Sequence, residues 1–168
     1  VMLASGTRIN AGVRRELLRK REASSYSSYD RADAVNAGEF GVSQILSAQW
    51  QAYARAAKSF RLANFDENGS TPDGKPLLPQ TSQDREVGVR WASGPAAFNA
   101  RVFRQNTVNE ILYLDFTPFD FDYCCNRNLD PVRRQGLELD GKAPVTDRLS
   151  VSASIQALSA KFIAGAYQ

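Results

Sequence analysis

With 168 residues, 43% of them hydrophobic and 23% charged, the chain has the composition of a folded domain and not that of a disordered or collagen-like segment. Its 21 Lys and Arg against 18 Asp and Glu leave a formal charge of +3, too small and too evenly spread for the concentrated basic face that nucleic acid requires. The chain contains no His, which excludes a His-ligated metal centre, a Ser-His-Asp triad and a Cys-His pair within it.

The first strand is read from Ile9, Ala11 and Val13 alternating with Arg8, Asn10 and Arg14. A long link follows at 16–33, although 14–22 also reads as a basic helix end. Phe40, Val42 and Leu46 against Glu39, Gly41 and Ser43 form the next strand. After a brief link at Ser47, Ala48 and Gln49, the residues Trp50, Ala52, Ala54 and Ala56 continue the alternation. Segment 50–60 also carries a helical stripe of Trp50, Tyr53, Ala54, Ala57 and Phe60, and its period-two neighbours tip it to strand.

Val87, Val89 and Trp91, the turn Ser93-Gly94-Pro95, and Phe98, Ala100 and Val102 make a hairpin. Leu137, Leu139, Gly141 and Ala143, a turn at 144–147, and Leu149, Val151, Ala153, Ile155 and Ala157 make another. The fold class expected is therefore all-β, with seven antiparallel strands in sequence.

No stretch approaches the ~18 consecutive apolar residues of a membrane-spanning helix, but barrel strands are apolar only at alternate positions and escape that criterion. Short links near 47, 93 and 145 alternate with long ones at 16–33, 61–80 and 112–131. Outer-membrane barrels show this asymmetry, with the long loops outside the cell. A soluble sandwich also alternates apolar with polar and tolerates uneven loops, so the period leaves both open. The polar side carries Arg8, Arg14, Glu39, Gln51, Arg55, Glu86, Arg90, Arg101, Glu138, Asp140 and Lys142. In a barrel these line a wet interior, and in a soluble sheet they form a solvated outer face.

The runs at 128–139, 78–91 and 54–64 each resemble a segment of TonB-dependent outer-membrane receptors. The run Asn128-Leu129-Asp130-Pro131-Val132-Arg133-Arg134-Gln135-Gly136-Leu137-Glu138-Leu139 resembles the entry to a late barrel strand of that family. Leu78-Pro79-Gln80-Thr81-Ser82-Gln83-Asp84-Arg85-Glu86-Val87-Gly88-Val89-Arg90-Trp91 is similar to its loop end feeding a Glu-x-Gly strand. Ala54-Arg55-Ala56-Ala57-Lys58-Ser59-Phe60-Arg61-Leu62-Ala63-Asn64 is similar to its strand ending in a Ser-Phe-Arg element.

The resemblance implies that 1–168 is part of a 22-stranded transmembrane barrel, an up-and-down meander without the plug domain or the closing strands. Residues 1–6 lack the features of a secretory signal, so one is expected upstream. The implied function is active transport across the bacterial outer membrane. The implied cargo is a ferric siderophore, with cobalamin or another large chelate next, and the energy comes from TonB acting through the missing plug. Neither catalysis nor a cofactor is implied.

Tyr113, Phe116, Phe119 and Phe121, with Arg127 nearby, are the candidate ligand-binding residues, since rings on an external loop can stack a flat chelate beside a cation. The same rings also read as an interfacial girdle or as folding back on the loop itself. Arg55, Glu86, Arg90, Arg101, Glu138 and Asp140 are expected to face the lumen. Glu86, Glu138 and Asp140 could act as paired acids in an enzyme, but pairing with Arg90 or Arg134 explains them without chemistry.

Asp66, Asn68, Ser70 and Asp73 imitate part of a calcium loop, lack its full spacing, and read as turn chemistry; no metal site is expected. Cys124 and Cys125 are adjacent, a strained arrangement for a mutual bond, and a disulfide involving at least one of them is expected. Arg14, Arg15, Arg19, Lys20 and Arg21 read as a solvated loop or as contacts to anionic headgroups of outer-membrane lipid. The reading from a different class is a soluble β-sandwich that binds a ligand, which requires the apolar strand faces to meet in one core.

Overall fold

The period-two segments pair in chain order. A computed structural model describes residues 3, 5–23, 28–114 and 125–166. Strands β1 (Thr7–Ala23), β2 (Ser28–Ile45) and β3 (Trp50–Arg61) are followed by a short helix, α1 (Phe65–Gly69), and then by β4 (Gln80–Ser93) and β5 (Ala96–Val108). Two three-residue strands, β6 (Ile111–Tyr113) and β7 (Asn126–Asn128), precede β8 (Val132–Thr146) and β9 (Leu149–Phe162). The main sheet has seven strands in the order β1-β2-β3-β4-β5-β8-β9, every neighbour antiparallel, and β6 pairs with β7. This is an up-and-down meander, a partial barrel segment. Segment 50–60 is strand, as its neighbours implied.

Register separates the two faces. One cross-strand row runs Ala52, Val89, Ala100, Leu139, Ile155, and the next runs Val42, Ala54, Val87, Val102, Leu137, Ala157. The row between them, on the other side, runs Tyr53, Gly88, Arg101, Glu138, Gln156. A slip of one residue would exchange the faces, so the pattern specifies the pairing. On β9 the apolar positions run from Leu149 to Ala157, about 27 Å along a strand at about 3.4 Å per residue, and a tilt near 45° projects this to about 20 Å.

Nothing in the described chain covers the apolar face. Phe40 is 54% exposed and Ile155 64% exposed, whereas a sandwich would bury both against a second layer. Of the six buried apolar residues among those described, Ala63, Leu77 and Ile111 cluster where the long links meet.

Two expectations need correction. There is no long link or helix end at 16–33: β1 runs through to Ala23 and β2 begins at Ser28, pairing along their full lengths. The pairing of β2 with β3 reaches only as far as Gly38 opposite Lys58, so 28–37 pair with β1 alone in a two-stranded ribbon. Neither side of that ribbon has a continuous apolar face, so no period marked it. Cross-strand ion pairs join it instead, with Arg19 and Arg21 donating to Asp30. The 112–131 link, read as loop throughout, carries β6 and β7, which are too short to show alternation.

Candidate functional site

The polar face is built from the strands. Arg101 on β5 sits directly opposite Glu138 on β8, and its Nε donates to Glu138 Oε2 at 2.6 Å. Its terminal nitrogen reaches Glu86 Oε2 on β4 at 2.7 Å, so one guanidinium spans three strands. Gln156 Nε2 donates to the other oxygen of Glu138 at 2.6 Å, and Arg55 donates to Glu39 at 3.2 Å. Arg90 lies 4.3 Å from the centroid of the Tyr53 ring. Tyr53 in turn donates to Asn99 at 3.3 Å, and Asn99 to Asp140 at 2.8 Å. Arg55, Glu86, Arg90, Arg101, Glu138 and Asp140 thus share one face.

Their pairing differs from expectation. Arg101, and neither Arg90 nor Arg134, neutralises Glu86 and Glu138. Arg90 stacks on Tyr53, while Arg134 donates to Glu110 at 2.8 Å. Arg101 stands opposite Glu138 and diagonal to Glu86, while Arg55, directly opposite Glu86, turns instead to Glu39. Arg101→Ala is expected to destabilise the sheet by about 1–2 kcal/mol, less than a fully buried pair because the group is half-exposed. Adding Glu86→Gln and Glu138→Gln should recover part of that loss in thermal unfolding.

At the other end the long links are tied to one another. Asn64 caps α1 by accepting from the Glu67 N–H, while Glu67 accepts from the Asn64 N–H. Arg61 grips Glu67 at 2.8 Å and reaches the Ile111 carbonyl at 3.3 Å. Asn68 is buried, donates to the Ala63 and Asn64 carbonyls and accepts from the Leu77 N–H. Asp66 and Asn68, read from sequence as turn residues of a link, thus lie on the capped helix α1, while Asp73 accepts from the Lys75 N–H at 3.1 Å. Asn128 clamps Leu78 by accepting from its N–H and donating to its carbonyl, and also donates to the Asn109 carbonyl. The Asn126 N–H donates to the Ser70 carbonyl at 2.7 Å.

A cleft of about 700 Å³ lies between the β1–β2 ribbon and these links, lined by Tyr29, Arg31, Lys75, Leu77, Asn126 and Arg127 among others. Arg31 is held by Asp33 at 2.8 Å and by the Pro76 carbonyl at 3.1 Å. Lys20 lies opposite Arg31 on the ribbon, and burial draws its ammonium below the ordinary lysine value. The cleft lining thus carries three bases, Arg31, Lys75 and Arg127, beside two acids, Asp30 and Asp73, with Lys75 paired to Asp73 at 3.3 Å, and Tyr29 among its walls.

The candidate ligand-binding residues are only partly assembled here. Arg127 lines the cleft, opposite Leu112 on the β6–β7 sheet. Tyr113 is exposed and pairs with Asn126, so alternation puts it on the opposite face of that short sheet from Arg127. Phe116, Phe119, Phe121 and Cys124 lie outside the described residues. Cys125 is buried and disulfide-bonded, as expected of at least one cysteine. Tyr29, Arg31 and Lys75 were not found from sequence, because the ribbon that carries the first two read as a link.

On the ribbon, the hydrogen bond from Arg19, reinforced by Arg21, lowers the Asp30 carboxyl from 3.8 to about 2 against the opposing effect of desolvation. Because the folded value is the lower one, this tie is fully present above the ordinary carboxylate range and is lost as pH falls toward about 2. A side-chain carboxyl titration by NMR should show Asp30 with a midpoint near 2, returning toward the ordinary value in Arg19→Gln.

A single-layer antiparallel meander with an uncovered apolar face, a charge-paired polar face, tight turns at one end and interlocked links at the other is a section of barrel wall. Residues 3–167 match the family described as TonB dependent receptor-like, beta-barrel, and the chain belongs to that family.

Solved structures agree in fold. The siderophore receptor PirA from Pseudomonas aeruginosa is 19% identical over 94% of this chain and 29% of its own, with a TM-score of 0.67. The alcaligin outer membrane receptor FauA from Bordetella pertussis is 18% identical over 100% of this chain and 30% of its own, with a TM-score of 0.68. A copper transporter, OprC, is 16% identical over 95% of this chain and 27% of its own, with a TM-score of 0.72. The chain thus spans less than a third of the length of each.

Proposed function

We propose that this segment forms part of the wall of a bacterial outer-membrane receptor that takes up a ferric siderophore or similar chelate using energy delivered by TonB. The observation that carries the reading is the uncovered apolar face in a chain of this family, since water penalises that surface and lipid does not. In the proposed assembly, the bonding edges of β1 and β9 meet further strands of a 22-stranded barrel, because unpaired backbone groups in hydrocarbon cost several kcal/mol each. The plug, through which TonB acts, lies outside this segment.

Arg55, Glu86, Arg90, Arg101, Glu138 and Asp140 face the watery interior in this reading. Arg31, Lys75 and Arg127, which outnumber Asp30 and Asp73 in the lining by one, draw an anionic chelate to the loop-end cleft, and Tyr113 adds a ring from the β6–β7 sheet; Phe116, Phe119 and Phe121 are proposed to contribute further rings. The chain's residues serve binding and passage and carry out no catalysis.

The test uses the full receptor in its native cell. Its deletion should abolish uptake of at least one radiolabelled ferric chelate in a panel, and Arg31→Gln/Lys75→Gln/Arg127→Gln should weaken binding of that chelate about tenfold, the weight of one strong charged contact. Unchanged uptake across the whole panel, or recovery of the receptor in the soluble fraction, would overturn the reading.

A further inference from the structure

The charges of the main sheet are sorted by side. Asp84, Glu86, Glu138 and Asp140 all share the polar face, where Glu86 and Glu138 meet Arg101. The apolar face carries no acid on β3, β4, β5, β8 or β9, yet bases gather at the end of its apolar band nearest the long links. Arg85 and Arg104 stand directly opposite each other. The next row on that face runs Lys58, Gln83, Asn106, Arg133, Lys161. The contacts of this group within the sheet are to neutral acceptors, Arg104 to Gln135 and Arg133 to Asn106, each at 3.0 Å. Like charges directly opposite on neighbouring strands repel, so this arrangement calls for an anion from outside the chain.

One row toward the short turns, Val87 and Val102 are also directly opposite and exposed. A groove of about 890 Å³ lies here, lined by Phe40, Ala54, Val87 and Val102 together with Arg85 and Arg104; Glu86 also lines it, but its carboxylate is held by Arg101 on the polar face. A greasy floor with two guanidinium groups at one end matches an amphiphile whose chain lies along the valines and whose head carries a phosphate. We infer that Arg85 and Arg104 clamp the phosphate of a lipid seated in the leaflet on the long-link side. Lys58, Arg133 and Lys161 extend the positive field around it. The inference rests on the membrane reading proposed above.

The test takes the full receptor in a neutral detergent and follows thermal unfolding after adding phosphatidic acid, a diacylglycerol with the same chains, or inorganic phosphate. Phosphatidic acid should raise the midpoint by several degrees, while the diacylglycerol and inorganic phosphate leave it unchanged. Arg85→Gln/Arg104→Gln should remove the rise, and Arg148→Gln, in a short turn, should keep it. The comparison between lipids on the unaltered receptor stands even if the double variant assembles poorly. An equal response to diacylglycerol or to inorganic phosphate, or a rise that survives in the folded double variant, would overturn the clamp. A receptor that needs detergent but ignores phosphatidic acid loses the clamp alone; one that stays folded and monodisperse without detergent loses both the clamp and the membrane reading.

Discussion

Leu139→Arg is expected to destabilise the assembled barrel by about 2–4 kcal/mol, the cost of an arginine facing lipid near the midplane. Leu139 sits in the central apolar row, with Ala100 on one side and Ile155 on the other. Gln156→Arg provides the contrast. It lies one position along β9 from Ile155, faces the other way and stands opposite Glu138, where a new cation finds a carboxylate and water. Its expected effect is within about 0.5 kcal/mol. Unfolding of the full receptor from lipid vesicles in denaturant measures both, and equal losses would show that the two faces are not differently solvated.

Gly136→Val is expected to be at least as damaging. A Cβ on Gly136 would run into the backbone carbonyl oxygen of Ala157 on β9, and backbone cannot turn aside as a side chain does. Phe103 and Leu158 flank the same row, so β8 and β9 must separate locally. Overpacking against movable side chains costs about 1–3 kcal/mol, and displaced backbone costs more. Gly141→Ala tests the explanation from the other side. There the added carbon would lie 3.7 Å from the Ala97 carbonyl oxygen and 3.8 Å from Phe98 Cδ2, which are ordinary contacts. It should leave stability unchanged or raise it by up to about 1 kcal/mol by removing the glycine's entropy cost. Assembly yield and thermal midpoint separate the two substitutions.

The strands that cross the apolar band were legible because each has one apolar face and one charged face, which writes a period of two into the sequence. That period placed Val87, Val102, Leu137 and Ile155 on one side and Glu86, Arg101 and Glu138 on the other, as the register shows. It fell silent at the β1–β2 ribbon and at β6–β7. Arg15, Leu17 and Arg19 alternate with Glu16, Leu18 and Lys20 there, and neither series is consistently apolar. Those elements are joined by ion pairs and backbone bonds between distant positions, which no local window records.

The candidate site divides in the same way. The amino-acid sequence marked on its own the seven strands of the main sheet, the two faces of each and the polar side chains on one of them, since these follow from spacing along one strand, and its local words carried the family resemblance. Only the tertiary structure decided which cation meets which acid, that Arg31, Lys75 and Arg127 line one cleft, and that Tyr113 and Arg127 project from opposite sides of β6–β7. Partnership across strands depends on register and on how the long links cross one another. These arise from pairings many residues apart, beyond the reach of the local period that reveals each strand.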